Sequence, residues 1–481
     1  MKKELILLLA IFIPNVGAFL LPLIGKFSTR LRNAAALLFA LIPLFFSCLL
    51  AVSVLQGSVV TVSKTLPLGF NFCFTADGLA VFMAIVCSLI SAVIILYSFG
   101  YIRHYDNQNE YYLMVVLFLG GMLGLIYAGN LIFLFLFWEI TAIVSWRLIG
   151  FFREKNHVLK ADKAFLVTVF GALVMLIGFV MLFQQYGSFD LAAIGLGSKV
   201  NPVPNIIVLL ILFGILSKSA TLPFHTWLPD AGVAPSPVTA LLHAAVLVKI
   251  GVYVFARLFI ATFSVDAFWH TAVPIIAGAS AIVAAGVALL ETDLKRIIAY
   301  STISQIGFIF LGLSTGNVIG VAGGLLLILM HGIAKAGLFL VAGIVEQNTK
   351  IKDITKLGGL INTMPVTAMS FLFCAFSVMG IPPFGGFFSK YMVFAGSLET
   401  GHIVITLMFL LGAILTILYL FRVFNMVFMG EAKNAPVKEG SVVMVICVAL
   451  LGVISLFAGI FIFYPNEMVQ IVTQQMLAGV K

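Results

Sequence analysis

Four lysines lie inside strongly apolar stretches of the chain: Lys218, Lys249, Lys335 and Lys390. One glutamate, Glu139 in LFLFWEITAIV, shares that setting. A charge at the centre of a bilayer costs about 3 to 17 kcal/mol, so intramembrane ionisable groups are functional candidates. An amine at its ordinary basicity holds its proton through any cycle. Withdrawal from water destabilises the charged form, an approaching carboxylate restores it, and a group so balanced can pass a proton on. Four titratable bases with one acid therefore describe a proton path. The single acid is an adjustable counter-charge: near a lysine it keeps the amine protonated, and on leaving it releases the proton. His331 and Lys335, four residues apart, fall on one face of a helix.

The elements that position these groups are membrane helices. The 481 residues are 62% hydrophobic and 9% charged, with 45 Phe and only 4 Trp, and apolar runs of about 18 or more residues recur throughout. This composition excludes a soluble globule. The formal net charge of +9 reads as loop charge on a membrane protein, with the lipid bilayer as partner and no nucleic acid. Five cysteines are scattered singly with no C-x-x-C pair, so they read as small buried hydrophobes. Any redox cofactor belongs to another chain.

Hydropathy predicts an all-α fold of about fourteen spans, near 5–24, 33–55, 77–100, 112–128, 130–150, 163–184, 205–223, 237–258, 271–290, 296–313, 318–345, 364–397, 403–427 and 441–464. The leading MKKELILLLAIFIP has no cleavage pattern after it and is kept as the first span. The longest polar connections are expected at 151–162 and 428–440, with no soluble domain. Alternate loops divide the basic residues unevenly. Lys2, Lys3, Lys64, Lys199, Arg257 and Lys481 share one side, and fifteen others, from Lys26 to Lys438, share the other. The richer side is expected in the cytoplasm and both termini outside. Arg147 and Arg422 snorkel at span ends.

Two spans carry prolines near a lysine. ILFGILSKSATLPFHTWLPD places Lys218 five residues before Pro223, and FSVMGIPPFGGFFSKYMVF places Pro382, Pro383, Gly385 and Gly386 ahead of Lys390. Proline removes a helical donor, so each span should break and free carbonyls at membrane depth. The breaks fall in spans seven and twelve. An odd separation makes those spans antiparallel, as inverted repeats require.

Four stretches resemble one family: KSATLPFHTWLPDAGVAPSPVTALLHAAVLVKIGVY (218–253), TDLKRIIAYSTISQIGFIFLG (292–312), HGIAKAGLFLVAG (331–343) and GIPPFGGFFSK (380–390). They look like the antiporter-like subunits of respiratory complex I, of energy-converting membrane-bound hydrogenases and of multi-subunit Na⁺/H⁺ antiporters. The resemblance implies fourteen helices with spans 4–8 and 9–13 as inverted repeats. The chain then divides into N-terminal helices 1–3 (1–111), a first repeat (112–260), a second repeat (261–430) and a last helix (431–481). It also implies that Glu139, Lys218, Lys249, His331, Lys335 and Lys390 occupy the family's proton-translocating positions, in a prokaryotic cell membrane.

Other residues support the path less directly. His225 and Asp230 follow Pro223; they either gather protons at a mouth or, in the case of His225, satisfy carbonyls freed by the break. His243, six residues before Lys249, lies about 120° from it on an α-helix and lines the same cavity or packs as a core histidine. Asp162 and Lys163 head span six, and Lys163 matches a basic position of the family. Asp293, Lys295 and Arg296 read as helix-start signals and loop charge. GGMLG at 120–124 is a small-residue helix contact, with no strand or Lys-Ser/Thr signature for a nucleotide loop.

The resemblance implies an ion-moving subunit, with no redox centre of its own, in a redox-driven complex of hydrogenase or complex I type. Its partners would be other membrane subunits, related antiporter-like chains among them, with iron–sulfur clusters and NiFe or flavin groups elsewhere in the assembly. The large subunit of a multi-subunit Na⁺/H⁺ antiporter and a stand-alone transporter are the alternatives, and the transported ion is H⁺ with or without Na⁺. The chain is expected to end without a long lateral helix after span fourteen.

Overall fold

A computed structural model describes residues 2–67, 71–433 and 435–480; Lys481, counted above on the charge-poor side, lies outside them. The helices in chain order are α1 (Lys3–Phe27), α2 (Thr29–Val54), α3 (Gly78–Tyr101), α4 (Gln108–Tyr127), α5 (Leu131–Ile149), α6 (Lys155–Tyr186), α7 (Leu191–Val200), α8 (Asn205–Lys218), α9 (Trp227–Asp230), α10 (Ser236–Ala240), α11 (Leu247–Phe255), α12 (Trp269–Leu290), α13 (Leu294–Ser314), α14 (Val318–Thr349), α15 (Pro365–Met379), α16 (Gly385–Glu399), α17 (Ile403–Val427), α18 (Val442–Ile460) and α19 (Phe463–Val480). Among the described residues, twelve helical segments are long and apolar enough to cross a membrane. The two remaining predicted spans are broken, α8 from α9 and α15 from α16, at the expected prolines. Both breaks contain a cis X-Pro bond, Leu222–Pro223 and Pro382–Pro383.

Side-chain caps fix several helix starts. Asp77, Asn130, Asp293 and Asn317 accept the backbone N–H of Ala80 (2.9 Å), Phe133 (2.9 Å), Arg296 (3.1 Å) and Gly320 (2.8 Å). Asp77 also pairs with both Nη atoms of Arg257, joining the start of α3 to the end of the eighth span. The helical segment 236–260 contains two π-helical turns, Leu241–Ala245 and Ala256–Ile260. The segments 236–260, 294–314 and 318–349 are almost wholly enclosed, whereas α1, α2, α6, α17 and α18 turn apolar faces outward. Small residues permit the close approaches. Gly120 faces Asn15 on α1 and Gly124 faces the Phe137 ring on α5, the contact expected of GGMLG.

Three elements escape the hydropathy reading. Residues 60–65 and 71–76 form an antiparallel hairpin, Val60 opposite Ala76, in a connection where hydropathy marks no element. α7 follows α6 as a short helix. The third corrects the expected end of the fold: α19 follows α18, packs on α3 and α14, and buries Val469, Val472 and Met476. Gln475 Nε2 on α19 donates to the Val54 carbonyl at 2.9 Å, so the helix lies across the face where α2 ends and α3 begins.

Candidate functional site

All four lysines are enclosed by protein: Lys218, Lys249 and Lys335 are 0% exposed and Lys390 is 4% exposed. Their amines therefore point into the protein rather than toward lipid. Lys218 ends α8. Its Nζ donates to the Trp138 carbonyl at 3.4 Å and lies 5.3 Å from the centre of the Trp138 ring, a cation–π distance. Trp227 Nε1 donates to the Ser217 carbonyl at 3.0 Å. Half-buried His225 hydrogen-bonds the Pro223 carbonyl at the break, one of the two roles open to it, and Trp227 satisfies a second carbonyl there.

At the second break the lysine does this work itself. Lys390, in the second turn of α16, donates to the Val378 carbonyl at 2.7 Å and to Met379 at 3.4 Å, both at the end of α15. Its Nζ also sits 4.8 Å from the centre of the Phe308 ring.

Between the breaks, α11 and α14 bring their polar groups together. Lys249 Nζ lies 2.5 Å from His331 Nδ1, a direct contact between the two predicted repeats. Lys335 Nζ donates to Ser301 Oγ at 2.5 Å and to the Ile298 carbonyl at 3.1 Å. Tyr419 OH donates to the same Ser301 Oγ at 2.6 Å. Lys335 is within electrostatic reach of Lys249 and Lys390, and His331 of those three lysines and His243. His243 packs its ring 4.4 Å from that of Phe339, with both nitrogens buried and without a hydrogen-bond partner among the described residues. His243 sits within the π-helical turn Leu241–Ala245, so the 120° angle to Lys249 reckoned for a regular α-helix does not hold there. Such turns recur at functional sites.

Glu139 stands apart. Among the described residues it forms no ion pair, and its Oε1 is buried without a hydrogen-bond partner, although Lys218 acts on it electrostatically. Gly251 closes the distance between the two groups of lysines. A Cβ there would stand 2.5 Å from the Ile215 carbonyl and 3.0 Å from Ser219, so only glycine lets α11, carrying Lys249, lie against the end of α8.

The remaining candidates form a junction on the basic face. Lys163 Nζ binds Asp230 Oδ2 at 2.7 Å, and Arg296 binds Asp230 Oδ1 and Glu291 Oε2, each at 2.8 Å. Asp230 thereby ties α6 to α13 through the segment that follows the first break. Burial alone would raise the Asp230 carboxyl, but Lys163 and Arg296 outweigh it and hold the group below the usual carboxylate range. With a depressed folded value, its stabilisation is present above about pH 4 and drains away as pH falls through that lower range. The thermal midpoint of the intact chain should drop below pH 4. An Asp230→Asn variant should begin lower and change less across the same range.

Sequence reasoning missed Ser301, Tyr419, Trp138 and Glu346. The hydroxyls carry no charge to stand out in an apolar run. Glu346 was legible as an acid in the last turn of span eleven, where Lys295 (2.5 Å) and Lys352 (3.1 Å) now hold it.

Two broken membrane helices, each with a buried lysine, and a basic cluster enclosed between them define an antiporter-like membrane subunit. Comparison with known proteins agrees. Residues 128–416 match the NADH:quinone oxidoreductase/Mrp antiporter transmembrane family, and residues 64–112 match the N-terminus of chain 5 of NADH-ubiquinone oxidoreductase (complex I). The chain belongs to the NADH:quinone oxidoreductase/Mrp antiporter family. It is 33% identical over 488 residues to the A1 subunit of the Na⁺/H⁺ antiporter of Staphylococcus haemolyticus, covering 94% of this chain and 60% of the relative. It is also 33% identical to a Na⁺/H⁺ antiporter subunit of Alkalihalophilus pseudofirmus, with the same coverage. The chain thus spans about three fifths of the length of these curated relatives. Its fold matches a chain of the Mrp complex from Dietzia sp. DQ12-45-1b (TM-score 0.91, 22% identity) and one of an archaeal membrane-bound sulfane sulfur reductase (0.89, 24%), each over 100% of both chains.

Proposed function

We propose that this chain is the proton-translocating subunit of a multi-subunit membrane complex that exchanges Na⁺ for H⁺. The observation that carries the reading is the enclosed row Lys218, Lys249, Lys335 and Lys390, running from one helix break to the other. Lys249, His331 and Lys335 would pass the proton between repeats 112–260 and 261–430. Lys218 with Glu139 would control its release at one end and Lys390 at the other. Among the described residues, buried Trp138 Nε1, Ser88 Oγ, Ser91 Oγ, Ser304 Oγ and His331 Nε2 have no hydrogen-bond partner. A hydrated axis supplies the hydrogen bonds that such atoms are costly to lack.

The names of the relatives favour the sodium exchanger over the redox-driven complex expected from sequence. An outward stripe on α5 supports assembly with other membrane subunits. Leu136, Ile143 and Trp146 are exposed there, and the incompletely buried Glu139 lies between them. A carboxylate at that depth calls for protein or water beside it rather than lipid. The basic face would be cytoplasmic, by loop charge.

The test is reconstitution of the complex purified with this chain into liposomes under an imposed Na⁺ gradient. Internal pH should change in proportion to the gradient, and small membrane subunits should co-purify. A sodium-independent signal coupled to electron transfer would favour the redox reading. No ion movement would overturn both.

A further inference from the structure

The basic face holds a cavity that the proposed ion path does not use. Its volume is about 640 Å³, and Lys295, Lys350, Lys352 and Lys438 line it. Glu346 is the one acidic residue among its lining residues, and Lys295 and Lys352 both bind it. Four ammonium groups against one carboxylate leave a formal surplus of three positive charges around one space. His104 and His157 add imidazole donors to the wall, and the carboxylate nearest His157, Glu154 at 3.1 Å, lies outside it.

A second feature points to the same ligand. α18 begins at this wall, with Ser441 as its N-cap, and the Ser441 side chain makes no capping hydrogen bond. Its Oγ is turned against Gly100 instead and has no hydrogen-bond partner among the described residues, so the first N–H groups of α18 have no side-chain cap. The N-terminus of a 19-residue helix carries unsatisfied N–H groups and a partial positive charge, both suited to anions. Tyr105 and Phe152, their rings 5.3 Å apart, form an aromatic side to the cavity. Like charges held this close repel, and an anion with several oxygens relieves that repulsion while filling the unused donors.

We propose that this cavity binds a phosphate-bearing anion, with Lys350, Lys352 and Lys438 contacting its oxygens and the uncapped start of α18 completing the cradle. Lys295 and Glu346 position the inner wall. Basic pockets between membrane helices on this kind of face take phospholipid headgroups, and a soluble phosphate offers the same chemistry; the test distinguishes the two.

The intact complex in neutral detergent is titrated with inorganic phosphate against chloride at matched ionic strength. It is then reconstituted with phosphatidylglycerol or with phosphatidylcholine. Thermal midpoint and retained lipid by native mass spectrometry are read in each arm. A Lys350→Gln/Lys438→Gln variant is compared with Lys356→Gln/Lys433→Gln, which removes equal charge from the same face outside the lining. Phosphate or phosphatidylglycerol should raise the midpoint, with at least tenfold weaker affinity in the first variant and wild-type affinity in the second. A response to phosphate alone identifies a soluble ligand, and to phosphatidylglycerol alone a headgroup; either supports the site. Should the double variant fail to fold, Lys438→Gln on its exposed loop carries the comparison. No response to either probe, or equal loss in both variants, overturns the proposal.

Discussion

Lys335→Met should reduce sodium-driven proton exchange by at least about 100-fold, a barrier change of about 2.7 kcal/mol. The lysine is fully enclosed and donates to Ser301 Oγ and the Ile298 carbonyl. It also sits within electrostatic reach of both Lys249 and Lys390, so its loss divides the row in the middle. Methionine fills similar volume with a flexible chain and carries no proton. The variant leaves one backbone carbonyl without that donor, at a cost of about 1–3 kcal/mol, which an assembled complex survives. Subunit content by native gel should therefore match wild type while the initial rate of pH change in vesicles falls to the leak.

Lys218→Met should have an effect of similar size, and the response to Glu139→Gln should differ from it in kind. Lys218 touches the Trp138 carbonyl and ring, while Glu139 forms no ion pair among the described residues. Removing the amine removes the carrier of the proton. Neutralising the acid removes only the charge that regulates it, so Glu139→Gln should slow exchange by about tenfold, or about 1.4 kcal/mol, without abolishing it. Initial rates at matched subunit content separate the two. Equal and complete loss in both variants would mean that Glu139 carries the proton as well.

The residues that a sequence reveals here are those that break a pattern. Lysine in an apolar run and proline ahead of glycine are both anomalies, and from them the breaks at Pro223 and Pro382–Pro383 and the proposed relay positions follow. Ser301 and Tyr419 break no pattern, because hydroxyls are ordinary in membrane helices. Their role depends on α13, α14 and α17 meeting, which is a property of packing. The π-helical turn at Leu241–Ala245 leaves hydrophobic content unchanged and so leaves no trace in hydropathy. α19 was missed for the opposite reason. Its polar FYPNEMVQIVTQQ start lowers hydropathy below that of a span, yet Val469, Val472 and Met476, spaced three and four apart, mark the buried stripe of a surface helix. The Asp77–Arg257 pair joins residues 180 apart in sequence, a separation that local reasoning does not bridge.

A relay requires that the amines exchange protons rather than merely present fixed charge, and Lys335→Arg separates these directly. Arginine keeps the positive charge but does not give up its proton in a protein. In liposomes holding equal amounts of assembled complex, wild type should change the internal pH under a Na⁺ gradient and the arginine variant should not. Exchange at the wild-type rate through Lys335→Arg would contradict the relay.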